Sequence, residues 1–187
     1  MKILATGTTG GIGGAFASVA RAAGHVVVEW NRGEFDRGDA LPEGPFDAVA
    51  FATGECRVTP VAMLSDDAFA EAVRVNCGLF LRIVREIVAR RLYSPRGMRI
   101  VAVSSVSANE GWAGGAAYCA SKGALSAMCR ALDAELAPRG ISVRAIEPRY
   151  VKTRMFDACA GRMGASASLA RDPGDLAREM LAMLSAG

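Results

Sequence analysis

Residues 2–14 of the chain read Lys-Ile-Leu-Ala-Thr-Gly-Thr-Thr-Gly-Gly-Ile-Gly-Gly, and an alanine-rich segment from Ala15 to Ala23 follows. The apolar start predicts a strand, the glycines predict a tight loop, and the helical spacing that follows predicts an α-helix ending at Gly24. Glycines let the backbone approach a ligand closely, and a helix N-terminus presents free N–H groups and a positive dipole end. The stretch therefore predicts a strand–loop–helix unit that binds the pyrophosphate of a dinucleotide.

Strands and helices continue to alternate beyond this unit. Predicted strands cover residues 25–30, 46–52, 98–105 and 141–146, and predicted helices cover residues 66–91, 115–137 and 173–185. Residues 33–45 are too few for both a helix and a full strand, so we predict a loop that crosses the sheet, with at most a stub of strand. The alternation predicts an α/β fold, a doubly wound and mainly parallel Rossmann-like sheet in a single domain over residues 1–187.

The end of the second predicted strand bears on the kind of dinucleotide. Asn31 and Arg32 follow this strand directly. An acidic side chain at this place would accept a hydrogen bond from the 2′-hydroxyl of the adenine ribose, whereas a guanidinium matches the geometry of a 2′-phosphate. The pair therefore favours NADP(H) over NAD(H). The alternative interpretation is that Arg32 is an ordinary solvated arginine.

A second pattern lies in the predicted helix 115–137. Tyr118 and Lys122 are four residues apart, so their side chains emerge on one face of the helix, one turn from each other. A nearby ammonium favours the phenolate, so we expect Lys122 to lower the pKa of Tyr118, as suits a residue that transfers protons. Ser105 would be the third polar group at this place. Tyr-x-x-x-Lys also occurs by chance in many helices, so the pattern gains its weight from the rest of the chain.

The candidate residues converge on one side of the predicted sheet. The glycine loop, Arg32, Thr53-Gly54, Ser105 and Pro148 each come just after a predicted strand. In parallel α/β sheets, ligands bind beyond the carboxyl ends of the strands. We therefore expect these residues to surround one site.

The composition argues against several classes of protein. The net charge is only +3 and the charged residues are scattered, which argues against a nucleic-acid partner. The five cysteines include no Cys-x-x-Cys pair and have no companion histidines, so we expect reduced thiols and no metal site. No apolar run approaches the roughly 18 residues of a membrane helix, and the start is not typical of a signal peptide. We therefore expect a cytoplasmic protein without a membrane partner.

The ordered set of motifs resembles the short-chain dehydrogenase/reductase family over about residues 2–155. The matching pieces are Thr6-Gly7-x-x-x-Gly11-Ile12-Gly13, Ala52-Thr53-Gly54, the mid-helix Asn76, Ser105, Tyr118-x-x-x-Lys122, and Pro148 with Thr153. The resemblance implies an enzyme that transfers a hydride between NADP(H) and a small carbonyl or alcohol. It also implies a homodimer formed through the two long helices, residues 66–91 and 115–137.

The resemblance also implies roles for individual residues. Tyr118 would be the general acid or base, Ser105 would hydrogen-bond the substrate oxygen, and Lys122 would lower the tyrosine pKa and bind the nicotinamide ribose. Asn76 would support a water chain that reaches Lys122. The implied cofactor-binding residues are Gly7, Thr9, Gly11, Ile12, Gly13, Asn31, Arg32, Ala52, Thr53, Gly54, Tyr118, Lys122, Pro148, Val151 and Thr153.

The chain also departs from the family pattern. The loop that usually reads Asn-Asn-Ala-Gly is Phe51-Ala52-Thr53-Gly54, and the glycine that usually follows Pro148 is Arg149. The third and last strands of the usual order 3-2-1-4-5-6-7 are missing or vestigial, so we predict a sheet trimmed at its edges, with the order 2-1-4-5-6.

These departures leave a second hypothesis open, a catalytically idle NADP-binding sensor or scaffold. A sugar epimerase or dehydratase is a more distant third. Four large side chains are expected to line an apolar substrate pocket: Trp112, Tyr150, Met155 and Phe156.

Overall fold

The computed structural model describes residues 1–163 and 166–186, and a parallel sheet of five strands forms its centre. The strands are β1 (Lys2–Thr6), β2 (Val26–Glu29), β3 (Ala48–Phe51), β4 (Met98–Val103) and β5 (Ile141–Ile146). Their order across the sheet is β2-β1-β3-β4-β5, and every pair is parallel. The trimmed order predicted from the sequence is confirmed, because β3, β4 and β5 are the fourth, fifth and sixth strands of the usual family numbering.

In the part of the chain that the structure describes, seven α-helices surround the sheet. They are α1 (Gly11–Ala22), α2 (Arg32–Arg37), α3 (Asp66–Val73), α4 (Leu79–Ala89), α5 (Ala116–Leu136), α6 (Arg154–Met163) and α7 (Pro173–Ser185). Helices α1 and α7 pack together on one face, and the helices from α3 to α5 cover the other. The sheet is therefore wound on both faces, as the alternation of elements predicts.

Two apolar clusters fill the space between the sheet and its helices. Leu4 belongs to a fully buried cluster with Phe51 and Phe80, whose rings lie 5.2 Å apart. The neighbouring strand residue Ile3 belongs to the opposite cluster, with Phe16 of α1. Successive strand residues point to opposite faces of a sheet, so a strand buried on both faces reads as a continuous apolar run.

The prediction of a plain loop over residues 33–45 is wrong at its start. Residues Arg32–Arg37 form helix α2, because Asn31 and Glu34 make a capping box in which each side chain bonds the other's backbone. Gly38 ends the helix in the left-handed conformation, with a φ of 80°. The segment has room for a short helix if no strand follows, and this arrangement was not predicted.

The long helix predicted over residues 66–91 is interrupted. Ser65 caps its start as predicted, but residues Arg74–Gly78 form a π-helical turn between α3 and α4. Asn76 lies in this turn and is fully buried. A π-turn inside a helix often marks a functional site, because it redirects the side chains that it carries.

Candidate active site

Two adjoining cavities lie beyond the carboxyl ends of the strands. One is a cleft of about 300 Å³ along the glycine loop, bordered by Gly7–Gly13, Asn31 and Arg32. The other has a volume of about 110 Å³ and contains Ser105, Tyr118 and Lys122. Ala52, Thr53 and Gly54 border both cavities, as do Ile12 and Thr153. The predicted site residues therefore surround one continuous site, with Asn76 just behind it.

The glycine loop is packed too tightly for side chains at two positions. Gly7 has a φ of 68°, and a Cβ there would lie 2.4 Å from the carbonyl oxygen of Ala52. A Cβ at Gly13 would lie only 2.2 Å from the carbonyl oxygen of Gly7. Thr153 packs against the same loop, because a Cβ on Gly11 would meet its methyl group at 2.6 Å. These contacts hold the N-terminus of α1 open toward the cleft.

The polar groups of the cleft suit a dinucleotide. The hydroxyl of Thr53 is buried and has no hydrogen-bond partner among the described residues, although it borders both cavities. Buried polar atoms in native proteins are normally satisfied, so this hydroxyl is available to a ligand. The Asn31 side chain accepts a hydrogen bond of 2.9 Å from Thr8 N–H and thereby supports the glycine loop. The residues present therefore fit NAD(P)(H).

Arg154 borders the same cleft and was missed in the sequence. It lies at the start of α6, and its guanidinium donates to the carbonyl oxygen of Thr9 over 3.4 Å. The sequence after Pro148 is rich in alanine, glycine and methionine, and α6 was not predicted there. The only sequence signal for Arg154 is its place after Thr153.

Arg32 borders the cleft and forms ion pairs with three carboxylates. Its guanidinium lies 2.8 Å from Glu55 and 2.5 Å from Glu71, and its Nε lies 3.3 Å from Asp36. Arg74 joins this network through Glu71 and Asp36. The Arg32 side chain is 39% exposed and its donors already have acidic partners, an environment that a surface arginine in an ion-pair network also has.

Asn76 anchors the segment that follows β3. Its side chain accepts a hydrogen bond of 2.8 Å from Glu55 N–H and donates to Glu55 C=O over 2.9 Å. The same amide donates to Ser121 Oγ of α5 over 2.9 Å. Gly54 fits between Asn76 and Lys122, because a Cβ there would lie 2.9 Å from the Asn76 side chain and 3.3 Å from Lys122 Nζ. Asn76 thus joins the floor of the site to the helix that bears Tyr118.

Tyr118 and Ser105 face the smaller cavity together. Burial raises the pKa of Tyr118 well above its usual range, and the neighbouring Ser105 hydroxyl lowers it only in part. The sequence predicts that Lys122 lowers this pKa, whereas in the structure burial raises it, with Lys122 Nζ 5.8 Å from the ring centroid. At neutral pH the phenol is therefore protonated and can donate a hydrogen bond or a proton.

Lys122 is almost completely buried at the base of the site. Its Nζ donates to the backbone carbonyl of Val103, at the end of β4, over 2.9 Å. Burial lowers the pKa of Lys122 from 10.5 to about 8, because the interior disfavours the charged form. Tyr118 and Lys122 thus lie on one side of the fold, as their spacing predicts.

We expect Lys122 to make the folding stability depend on pH between about 8 and 10.5. In this window the unfolded chain keeps the lysine protonated whereas the folded chain releases the proton, so the contribution of Lys122 to stability rises with pH. The raised pKa values of Tyr118 and of four cysteines act in the opposite direction, so the effect of Lys122 is the difference between the wild type and Lys122→Met. Urea unfolding at both ends of the window should show a less favourable change with pH in Lys122→Met than in the wild type. Lys152→Met, at an exposed lysine, serves as the control. An identical change with pH in the wild type and Lys122→Met would contradict the burial effect.

Arg149 does not fill the cavity. Its side chain is about half exposed at the rim and pairs with the exposed Glu110 over 2.5 Å. Pro148 accepts a backbone hydrogen bond of 3.3 Å from Val106 N–H, so the segment after β5 is tied to the segment after β4. Val151 is buried and borders the cavity. The bulky residue after Pro148 is thus accommodated at the surface.

Apolar side chains form the outer wall of the smaller cavity. Tyr150, Met155 and Phe156 border it as predicted. Trp112 does not border the cavity and packs against the ring of Tyr118 instead, with the ring centroids 6.3 Å apart. Five further bordering residues were not predicted from the sequence: Cys56, Val103, Ser104, Ser107 and Cys159.

Residues 1–163 and 166–186 contain neither a candidate metal site nor a candidate membrane-spanning helix. No group of three or more histidine, cysteine, aspartate or glutamate side chains is placed to hold a metal ion. No helix in the same part of the chain is long and apolar enough to span a membrane.

Comparison with known proteins agrees with this geometry. Residues 40–162 match the family described as short chain dehydrogenase. The 3-oxoacyl-[acyl-carrier-protein] reductase FabG of Rickettsia felis is 28% identical over 179 residues, which cover 82% of this chain and 74% of that protein.

Solved structures share the fold over almost the whole chain. A 4-hydroxyisoleucine dehydrogenase complexed with NADH has a TM-score of 0.84 at 22% identity, and the match covers 99% of this chain and 91% of that one. A protein from Beutenbergia cavernae solved with bound NADP has a TM-score of 0.83 at 23% identity, covering 98% and 89%. One of these two similar folds carries NADH and the other NADP, so the fold alone does not decide between the cofactors.

Proposed function

This chain is a member of the short chain dehydrogenase family, and on that basis we propose that it is an NADP-dependent oxidoreductase acting on a small carbonyl or alcohol. The observation that carries the proposal is the placement of Ser105, Tyr118 and Lys122 around one small cavity that adjoins the glycine-loop cleft. A proton donor, a hydrogen-bonding hydroxyl and a buried amine beside a dinucleotide cleft suit carbonyl reduction.

Each of the three residues has a task in the proposed reaction. The bound nicotinamide would supply the hydride for reduction or accept it in oxidation. The Ser105 hydroxyl donates a hydrogen bond to the substrate oxygen, and Tyr118 gives its proton to that oxygen as negative charge develops there. Burial keeps the phenol protonated at neutral pH, which is the form that reduction requires. Lys122, held by Val103, lies beneath the phenol and would bind the nicotinamide ribose.

The same proposal assigns the cofactor-binding residues. The N–H groups of the glycine loop and the start of α1 would hold the pyrophosphate, with Arg154 beside them. The unpartnered Thr53 hydroxyl would bond the cofactor between the two cavities. Pro148, Val151 and Thr153 border the nicotinamide end, and Asn76 keeps Gly54 and Lys122 in place.

We propose that NADP(H) rather than NAD(H) is the cofactor, with Arg32 bonded to the 2′-phosphate. The acidic neighbours of Arg32 make this preference weaker than an isolated arginine would give. A phosphate has to share the guanidinium with Glu71, which lies 2.5 Å from it, and the two anions repel each other. Glu71 is the more exposed of the two closest carboxylates, at 29% against 14%, but Arg74 also holds it through two hydrogen bonds, so a phosphate has to displace Glu71 from Arg32 alone.

Arg32→Ala should weaken NADPH binding by about 10- to 100-fold, as expected for the loss of charged hydrogen bonds worth about 1.5–3 kcal/mol, and should change NADH binding little. Glu71→Gln should strengthen NADPH binding by about 5-fold, an effect of the size of a partly exposed ion pair. Calorimetric titration with each dinucleotide measures both changes.

Asp39→Asn provides the control for a general change in charge. Asp39 pairs with Arg37 over 2.7 Å and makes no ion pair with Arg32. Asp39→Asn should leave the ratio of NADPH to NADH affinity unchanged. Equal weakening of both dinucleotides in Arg32→Ala would show that Arg32 does not bind the 2′-phosphate.

The cavity favours a compact and mostly apolar substrate. Its volume is about 110 Å³, and its outer wall consists of Tyr150, Met155 and Phe156. Because the Rickettsia felis relative is named as a 3-oxoacyl reductase, short 3-oxoacyl thioesters belong in the first panel, together with small ketones and aldehydes. Oxidation of NADPH, followed at its absorbance maximum, tests the proposal. Tight NADPH binding without turnover across the panel would favour the idle sensor or scaffold instead.

We also propose a cytoplasmic homodimer that associates through the two long helical segments. All five cysteines are free thiols, as suits a reducing compartment. Phe69 of α3 and Leu81 of α4 are each 43% exposed, so this side of the molecule offers apolar surface. Sedimentation of the wild type and Leu81→Glu measures the association, which the charge should weaken.

A further inference from the structure

Two cysteines lie close together at the substrate cavity. Cys56 lies two residues beyond Gly54, on the segment that follows β3, and Cys159 lies on α6. Both border the cavity that contains Tyr118. Cys77 and Cys129 are buried elsewhere, and Cys119 does not border the cavity. The proposed reaction uses none of these thiols.

Cys159 contacts the backbone of Cys56. Cys159 Sγ donates to the backbone carbonyl of Cys56 over 3.8 Å. Burial raises the pKa of Cys56, and the charge and hydrogen bond of the Cys159 thiol raise it further. Because Cys159 Sγ already lies against the main chain of Cys56, a modest movement of α6 can bring the two Cβ atoms to the separation of a disulfide, about 3.5–4.5 Å.

The surroundings favour covalent chemistry over metal binding. Among residues 1–163 and 166–186, no third metal-ligating side chain joins the pair to form a metal site. The thiols belong to two different elements that both border the cavity, so a bond between them would join one wall to the other. Met155 and Phe156, on the same helix as Cys159, form part of that wall.

We propose that Cys56 and Cys159 form a reversible disulfide that closes the substrate cavity, with a hydroperoxide as the oxidant. One thiolate attacks the peroxide, the O–O bond breaks, and a sulfenic acid and water (or an alcohol) form. The second thiol attacks this sulfur, the S–S bond forms, and a second water leaves. The two sulfurs together lose two electrons and two protons, and the peroxide is reduced. A small dithiol reverses the reaction by thiol–disulfide exchange.

The disulfide separates substrate access from cofactor binding. It holds α6 to the segment after β3, so the outer wall to which Met155 and Phe156 of α6 belong can no longer move to admit a carbonyl substrate. The adenosine and the pyrophosphate are expected to bind in the neighbouring cleft, at Arg32 and along the loop from Gly7 to Gly13. The oxidised protein should therefore keep its affinity for NADPH while losing turnover. The loss of turnover rests on the proposed function, whereas the formation of the disulfide does not.

The experiment treats the full chain with an excess of hydrogen peroxide and a long incubation, because the raised pKa of Cys56 leaves little of its thiolate. Free thiols should fall from five to three, and peptide mapping should join the peptides that contain Cys56 and Cys159. Carbonyl reduction should fall by about 10-fold or more, as expected when access to a site is blocked, and dithiothreitol should restore it. Calorimetry should give an unchanged NADPH affinity.

Matched variants separate this disulfide from general oxidation. Cys159→Ser and Cys56→Ser, each compared with its own untreated sample, should keep their activity under peroxide and form no cross-link. Cys119→Ser, at a nearby thiol outside the cavity, should respond like the wild type. Inactivation of Cys159→Ser to the wild-type extent, or a map without the Cys56–Cys159 peptide pair, would overturn the proposal. The thiol count and the map decide the disulfide even where no panel carbonyl is turned over.

Discussion

Tyr118→Phe is expected to lose nearly all carbonyl reduction while it keeps its fold and its affinity for NADPH. The variant removes one oxygen, the proton donor closest to Ser105 in the smaller cavity. Loss of a positioned general acid typically costs about 10²- to 10⁴-fold in rate. The ring remains and keeps its packing against Trp112, so the cavity changes little in shape. Single-turnover NADPH oxidation with the best panel substrate measures the loss.

Tyr150→Phe is the matched control for this experiment. Tyr150 borders the same cavity and packs against Phe156, with the ring centroids 5.5 Å apart, so its variant also removes a phenolic oxygen from the site. It should retain most of the activity. If the two variants lose activity equally, the cavity requires hydroxyl groups in general and Tyr118 is not the proton donor. If Tyr118→Phe keeps full activity, the role assigned to Tyr118 is wrong.

The architecture could be predicted because its signals are local. Residues 141–146 form β5 with the predicted bounds, and Asp172 caps α7 at Pro173 as expected. Each strand is followed directly by a candidate site residue, and in a parallel sheet this alone places Ser105, Thr53 and Gly7 at one rim. The resemblance to the family adds the order of the motifs along the chain to these local signals.

The partners of Arg32 could not be predicted from local pattern. Glu55 and Glu71 are 23 and 39 residues away in sequence, and only the π-turn after α3 and the placement of Glu55 by Asn76 bring them to the guanidinium. The predicted direction of the Tyr118 pKa shift differs from the structure for a similar reason. Spacing on a helix shows which residues are neighbours, whereas burial depends on the whole fold and here outweighs the neighbouring lysine.

Gly13→Ala is expected to damage both stability and cofactor binding, although it adds only a methyl group. That methyl would lie 2.2 Å from the carbonyl oxygen of Gly7 and 2.9 Å from that of Thr6, so the backbone of the glycine loop has to move. Overpacking of this kind costs about 1–3 kcal/mol. For a chain of this size such a cost lowers the melting temperature by about 4–10 °C. The shifted loop should also bind NADPH more weakly, because the N–H groups expected to hold the pyrophosphate no longer converge.

Gly161→Ala separates this clash from the general effect of replacing glycine by alanine. Gly161 lies within α6, and a Cβ there meets no atom within 4 Å. The variant should be neutral or more stable by about 0.5–1 kcal/mol, because alanine loses less backbone entropy in a helix. Thermal unfolding and NADPH titration of both variants make the comparison. The close packing of Gly13 against Gly7 orients the glycine loop toward the cleft, so wild-type stability and affinity in Gly13→Ala would mean that the dinucleotide binds elsewhere.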